Sequence, residues 1–393
     1  MERSRKQGGA KARAQEAQHH RPLPCPEKRR QRGGPALAAI CQAEKPESVT
    51  RPQRTIGLIA AALLVSAGLY GLWWAQTAEA AKTELERWID ARRAGGFEIT
   101  HGGIEKAGFP LRIELAVLSP KVTRAGNHPF SWQGPERLIA RISPLAPNRL
   151  SLSAAGAHLI EAGGQRIALS SAKAEAAIDM PPEGLSGLHL TLEQASAEAG
   201  AGQGIALSRL SLDATRRLDL SPDDLQTPSA ALALSLDQLT LPAGMKAFLG
   251  DGVPVLRLNL LLRGPVPENL QAESLREWSE AGGVLDLDRL HLEWGPLILD
   301  GDGTLALDRD LMPIAPFGFK AKGAFEAVDA LAERGLIEPA NAMVGKLALA
   351  VLAKEPPDPE TGLMRLPLTL QGRDLFLGAA RLARLPTPPW VEE

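Results

Sequence analysis

Seven histidines, two cysteines and 46 acidic residues are the groups in this 393-residue chain with side chains suited to chemistry. His189, Thr191 and Glu193 would share one face of a β-strand, because side chains alternate with a period of two, and so would His291 and Glu293. A metal pair there would need a His-Glu-x-x-His or a Cys/His spacing, and neither is present. The alternating leucines between these groups fit a solvent-facing polar row. His19 and His20 are adjacent in a polar stretch and read as a solvated pair. Asp300, Asp302 and Asp308 lack the register and closing Glu of a calcium loop, and Asp300-Gly301-Asp302-Gly303 reads as a hairpin turn. Gly200, Gly202 and Gly204 are followed by no Lys-Ser/Thr and open no helix, so they read as a loop rather than a phosphate cradle. No G-x-S-x-G occurs, and no nucleophile has a base beside it. Cys25 and Cys41 both lie before residue 55, so the rest of the chain has no thiolate and no disulfide. The expectation is a protein that is not an enzyme and takes no metal or cofactor.

The elements around these residues are organised by Ile56 to Ala75, IGLIAAALLVSAGLYGLWWA, which has no charge. As a helix it would be about 30 Å long, the thickness of a bilayer's hydrocarbon core. Trp73 and Trp74 at its far end suit a membrane–water interface. Residues 1–55 hold 13 Lys and Arg against 5 Glu, or +8, so a net charge of −2 leaves −10 for the remainder. That split predicts a cytoplasmic tail and a body on the other side of the membrane. The basic tail runs up to Arg51 and Arg54 at the membrane edge, which favours topology over nucleic-acid binding. Residues 1–55 are too poor in hydrophobes to offset their chain entropy and read as disordered. Val49 offers an alternative start that would leave a short basic segment before the span. Ala78-Glu79-Ala80 matches a cleavage site, but the length of the span favours an uncleaved signal anchor.

After the span, Thr77 to Arg93 is rich in helix formers and closes on Gly95-Gly96, a C-cap. Leu85, Trp88 and Ile89 share one face, so residues 76–96 are expected to be an amphipathic helix packing on the body. Residues 97–387 would form that body, with a division near 243–280. Gly108-Phe109-Pro110 should be the turn that launches the first long strand at Ile113 and Leu115. A Pro-bounded crossing is expected over Ser143 to Pro147, after Trp132. Leu188, Leu190 and Leu192, then Leu256, Leu258, Leu260 and Leu262, then Leu366, Leu368 and Leu370, alternate as strands with one apolar face. Helices in the body are expected to be few and short, among them Glu268 to Glu280 and Phe325 to Gly335.

One pattern recurs. Ile205-x-Leu207-x-x-Leu210-x-Leu212, Leu234-x-Leu236-x-x-Leu239-x-Leu241 and Leu285-x-Leu287-x-x-Leu290-x-Leu292 each hold one extra residue between two alternating pairs. An extra residue is either a bulge, which bends the strand, or a change of phase. Bulges at matching heights would curl the sheet into a trough.

Trp88, Gly108-Phe109-Pro110, Trp132, the run Leu366-Pro367-Leu368-Thr369-Leu370 with Gly372, and Leu385-Pro386 follow the span in an order that resembles an uncharacterised family of anchored envelope proteins from alphaproteobacteria, over roughly residues 50–390. More distantly, Gly283 to Ile337 is similar to AsmA-like proteins. That likeness implies a curved β-groove whose apolar face meets acyl chains, in envelope lipid transport or outer-membrane biogenesis. It implies no site residue.

The fold class expected is mainly β: a transmembrane helix, then a large, curved antiparallel sheet with a few short helices. The function expected is lipid binding or movement, or help in envelope assembly, with phospholipid or an envelope protein as partner. Leu207, Leu236, Leu258, Leu260 and Leu287 are the candidate lining residues. The alternative is an envelope scaffold without lipid, built as a closed sandwich. A continuous open apolar groove would favour the first, and two sheets around a dry core the second.

Overall fold

A computed structural model describes residues 51–126, 129–200, 203–221, 224–242, 249–354, 356–358 and 361–391. His19, His20, Cys25, Cys41, His128 and the tail up to residue 50 lie outside the described residues. Helix α1 (Arg51–Ala94) is continuous, so the span and the expected amphipathic helix are one element. It ends at Gly95 and Gly96, with Gly96 at φ 88°, a conformation that glycine adopts at little cost. The described residues from Ala61 onward form one compact unit.

The body is an open antiparallel meander. Its first five long strands are each interrupted once: β1 (Glu98–Thr100) and β2 (Gly103–Ala107), β3 (Ile113–Leu118) and β4 (Lys121–Arg124), β5 (Phe130–Gln133) and β6 (Arg137–Ser143), β7 (Ala146–Ser153) and β8 (Gly156–Ala162), β9 (Gln165–Ser171) and β10 (Lys173–Asp179). Long strands follow without interruption: β11 (Gly187–Ala199), β12 (Gln203–Arg216), β13 (Ala230–Thr240) and β14 (Gly252–Arg263). Helix α2 (Ala272–Glu280) precedes β15 (Val284–Trp294), β16 (Leu297–Leu307) and β17 (Pro313–Lys322). Helices α3 (Ala324–Glu333) and α4 (Pro339–Leu352) precede β18 (Met364–Gln371), β19 (Asp374–Leu377) and β20 (Ala380–Arg384). Every ladder joins strands consecutive along the chain, if each interrupted pair counts as one strand.

The interruptions line up as a crease. β11 pairs with β10 through residues 187–193 and with β9 through residues 196–199, so it spans both halves, and Gln194 between them has φ 48°. On the next strands the register continues past Ser208, Gln238 (φ 51°) and Pro254 without a shift. The two earlier copies of the recurring pattern sit on this line: each strand carries its extra residue at the same height, so those residues oppose one another. The third copy is a bulge of its own. Leu287 pairs with Gly303 but Leu290 with Gly301, leaving two residues of β15 opposite one of β16.

Residues in direct register lie on the same side of a sheet. Leu115, Ala140, Leu152, Ala176, Leu190 and Leu212 form one unbroken row across neighbouring strands. The row continues through Leu234, Leu258, Leu290, Gly301, Phe319 and Leu366. The opposite face carries cross-strand ion pairs, among them Arg209–Glu193 at 3.2 Å, Arg257–Asp237 and Arg263–Asp286 at 2.5 Å.

Several local expectations are corrected. Asp300 to Gly303 lie inside β16, not in a turn. Gly301 and Gly303 sit opposite Phe319 and Phe317, and the absent side chains make room for the two rings, which stack at 5.4 Å. The turn is instead at Gly295-Pro296. The crossing expected over residues 143–147 is a two-residue hairpin tip at Pro144-Leu145. Trp88 does not pack on the body: it is 53% exposed and lies under the Arg92 guanidinium, whereas Ile89 is buried. The Gly108-Phe109-Pro110 turn does launch β3, with Gly108 at φ 98° and a cis Phe109–Pro110 bond.

Candidate functional site: the open apolar face

Helices cover one end of the leucine face. Leu349 of α4 and Ala324 of α3 are buried against Phe319, Ala321 and Leu366, and Leu287, Leu290 and Leu299 pack against that cluster. Leu275 and Trp278 of α2 are buried with Leu307 and Leu311, against Leu262, Leu285 and Leu305. Trp278 Nε1 donates to Arg263 O at 3.1 Å, which fixes α2 to the end of β14. Toward β10–β13 the same face is only half-buried at Leu190, Leu192, Leu210, Leu212, Leu232 and Leu234.

Where α2 stops, the face holds an open cavity of about 450 Å³. Leu188, Leu232, Leu260, Leu262 and Leu285 line it from the sheet, with Ala214 and Ala230 between them. Leu185 and Val266, from the turns at that end of the strands, close its sides. Such a wall offers apolar contact and almost no hydrogen bonding, so it suits a hydrocarbon chain better than a polar ligand.

The five candidate leucines separate. Leu236, Leu258, Leu260 and Leu287 share the face, through the pairs Leu236–Leu256, Leu258–Leu234 and Leu260–Leu287. Leu260 lines the cavity. Leu258 lies in the half-buried row, Leu236 is 8% exposed, and Leu287 packs under α3 and α4, so the last two serve the core. Leu207 lies beyond the crease, opposite Ala195 and three residues from Leu210, away from the cavity. Leu188, Leu262 and Leu285 were visible as alternating strand residues, but which leucines meet is set by register. The Ala214 and Ala230 gaps that give the cavity its depth carry no pattern at all.

The histidine rows are polar bridges on the other face. His189 Nδ1 lies 2.7 Å from Asp213 Oδ1 and its Nε2 3.1 Å from Asp179 Oδ2. His291 Nδ1 lies 2.7 Å from Asp300 Oδ1 and its Nε2 3.3 Å from Glu293 Oε1. Among the described residues no group of three or more His, Cys, Asp or Glu is placed to hold a metal ion.

At the first edge, α1 runs beside β1 and β2. Tyr70 Oη donates to Pro110 O at 2.5 Å and Trp74 Nε1 to Arg112 O at 2.9 Å. Glu79 pairs with Lys106, and the Arg93 guanidinium donates to Ile99 O. The helix is long and apolar enough to cross a membrane, and none of its most apolar stretch is buried.

A family model described as "Uncharacterized protein conserved in bacteria (DUF2125)" matches residues 74–386. No curated protein and no solved structure matches the chain.

Proposed function

The chain belongs to this uncharacterised bacterial family, and from that premise we propose that it is a membrane-anchored, non-enzymatic lipid-binding protein of the cell envelope. Its cytoplasmic N-terminus would lead into an inner-membrane span and a periplasmic body. The observation that carries the reading is the open cavity on a continuous leucine face in a chain with a membrane-length helix. Each methylene of an acyl chain that leaves water for that wall contributes about 0.8 kcal/mol. The distant resemblance of residues 283–337 to AsmA-like proteins, read from the sequence, would imply a groove of the same kind. One open sheet with an uncovered leucine row also supports a groove over the closed sandwich of a scaffold.

The test uses the full chain, purified from membranes in mild detergent, with lipids extracted and counted. The wild type should retain about one phospholipid more per chain than Leu260→Asp, while both show the same circular dichroism. Leu258→Asp, in the half-buried row, should weaken retention less. Equal lipid content in wild type and Leu260→Asp would remove the carrier reading and leave the scaffold.

A further inference from the structure

In a meander, alternate turns fall at opposite ends of the sheet. One end carries the turns 108–112, 144–145 and 180–186; the other carries 163–164 and 295–296. At the first, Phe109 is 57% exposed, Leu111 68%, Leu145 87%, Met180 51% and Leu185 55%. At the second, the two-residue tips Gly163-Gly164 and Gly295-Pro296 carry no large apolar residue, and the exposed apolar side chains of that end, Met343, Leu347 and Val351, sit on α4 in the connection from β17 to β18. Large apolar side chains grouped in water are costly and mark a contact surface.

These tips form one connected rim. Ser143 Oγ donates to Leu111 O at 3.3 Å, Met180 N to Asn148 O at 2.7 Å, and Arg216 N to Ser186 O at 2.8 Å. The rim begins at the membrane helix. Phe109 meets Trp74 edge-on at 5.4 Å and Tyr70 at 6.3 Å. Tyr70, Trp73 and Trp74 stand at the end of the apolar stretch, where aromatic rings mark the headgroup level. A turn packed on that ring cluster shares its depth.

We infer that the rim formed by Phe109, Leu111, Leu145, Met180 and Leu185 is a second membrane contact, which seats the end of the sheet in the bilayer surface that α1 enters. The inference rests on the anchor reading above and identifies the source of the lipid. Leu185 belongs both to the rim and to the cavity wall. The cavity therefore opens at the bilayer surface, and an acyl chain can pass from the leaflet to Leu188 and Leu260 without crossing water. Glu183, exposed between Met180 and Leu185, and Arg149, half-exposed behind the tip, keep the contact at headgroup level rather than in the hydrocarbon.

The experiment uses the full chain with Cys25→Ser and Cys41→Ser, reconstituted in phosphatidylcholine and phosphatidylglycerol vesicles. Single cysteines at Leu145→Cys, Leu185→Cys and, at the opposite end, Gln165→Cys carry an environment-sensitive fluorophore. Flotation of the vesicles reports the anchor, and quenching by lipids spin-labelled near the headgroup reports the rim. The expected result is co-flotation, with blue-shifted emission and quenching at least several-fold stronger at 145 and 185 than at 165. Co-flotation with all three labels equally exposed to water would overturn the rim contact and leave the anchor standing. Blue-shifted but unquenched labels at 145 and 185 would mean that protein covers the rim, which also overturns it. A chain that does not float would overturn the anchor and the rim together.

Discussion

Two single residues show how local chemistry is decided by distant partners. Gly301 lies within β16, and a Cβ there would run into the Phe319 ring on β17. Gly318, on β17 itself, has open space around it. Overpacking a core costs about 1–3 kcal/mol. Gly301→Ala should therefore lower the thermal midpoint by several degrees, while Gly318→Ala should leave it nearly unchanged, as read by circular dichroism in detergent. Equal effects would mean that the ring does not rest on that glycine. Asp358 is the second case. The Lys320 ammonium first, and then Thr361, hydrogen-bond its carboxylate and hold its pKa down to about 2 from an ordinary 3.8. A carboxyl with a depressed folded-state pKa stabilises fully above its ordinary value, and that contribution is lost as pH falls toward the folded value. The denaturation midpoint should thus fall between pH about 4 and about 2, over the window these two values set. Asp358→Asn should start from a lower midpoint at neutral pH and lose less across that window. Parallel curves for the two proteins would show that this carboxylate carries none of the acid sensitivity.

At the scale of elements, strands were legible and their supports less so. Leu256, Leu258, Leu260 and Leu262 alternate so plainly that β14 could be read directly, and the pattern at 285–292 announced the bulge in β15. The Asp-Gly pairs of β16 misled because glycine signals a turn by its conformational freedom, whereas here it leaves space for rings contributed by the next strand. The crease was half legible: the extra residues at Ser208 and Gln238 could be seen, but not that Gln194 and Pro254 would fall in line with them. Helix α4 escaped notice altogether. Its buried side is Ala342, Gly345 and Leu349, yet Met343, Leu347 and Val351 point outward, so no single apolar stripe marks it. A Cβ at Gly345 would lie 2.9 Å from the Leu382 side-chain tip on β20, so the helix approaches that strand closely there. Truncating a buried leucine costs about 2–5 kcal/mol, and an exposed one usually within about 0.5 kcal/mol. Leu349→Ala should therefore lower the midpoint sharply and Leu347→Ala barely. The reverse order would place α4 with its other side to the sheet.

For the whole molecule, the decisive question is whether the helix long and apolar enough to cross a membrane stays joined to the sheet. The sequence offers Ala78-Glu79-Ala80 as a cleavage site, but the fold makes those residues part of the joint. Ala78 is 1% exposed, and Glu79 is paired with Lys106 on β2. Cutting there would require one turn of a continuous helix to open and a buried alanine to leave its contacts, and local opening of a packed element is uphill. Cutting would also remove Tyr70 and Trp74, whose hydrogen bonds to Pro110 O and Arg112 O hold the turn that launches β3. A cleaved body would therefore expose the first edge of the sheet at the point where it is braced. The prediction is that protein isolated from membranes retains residues 56–75, seen by intact mass, and resists carbonate extraction. A mature N-terminus at Ala81 would defeat it. In that event Tyr70→Phe and Trp74→Phe, introduced into the full chain, should leave the stability of the body unchanged. With the anchor retained, each should lower the thermal midpoint of the body, because each leaves one strand-launching carbonyl without its partner.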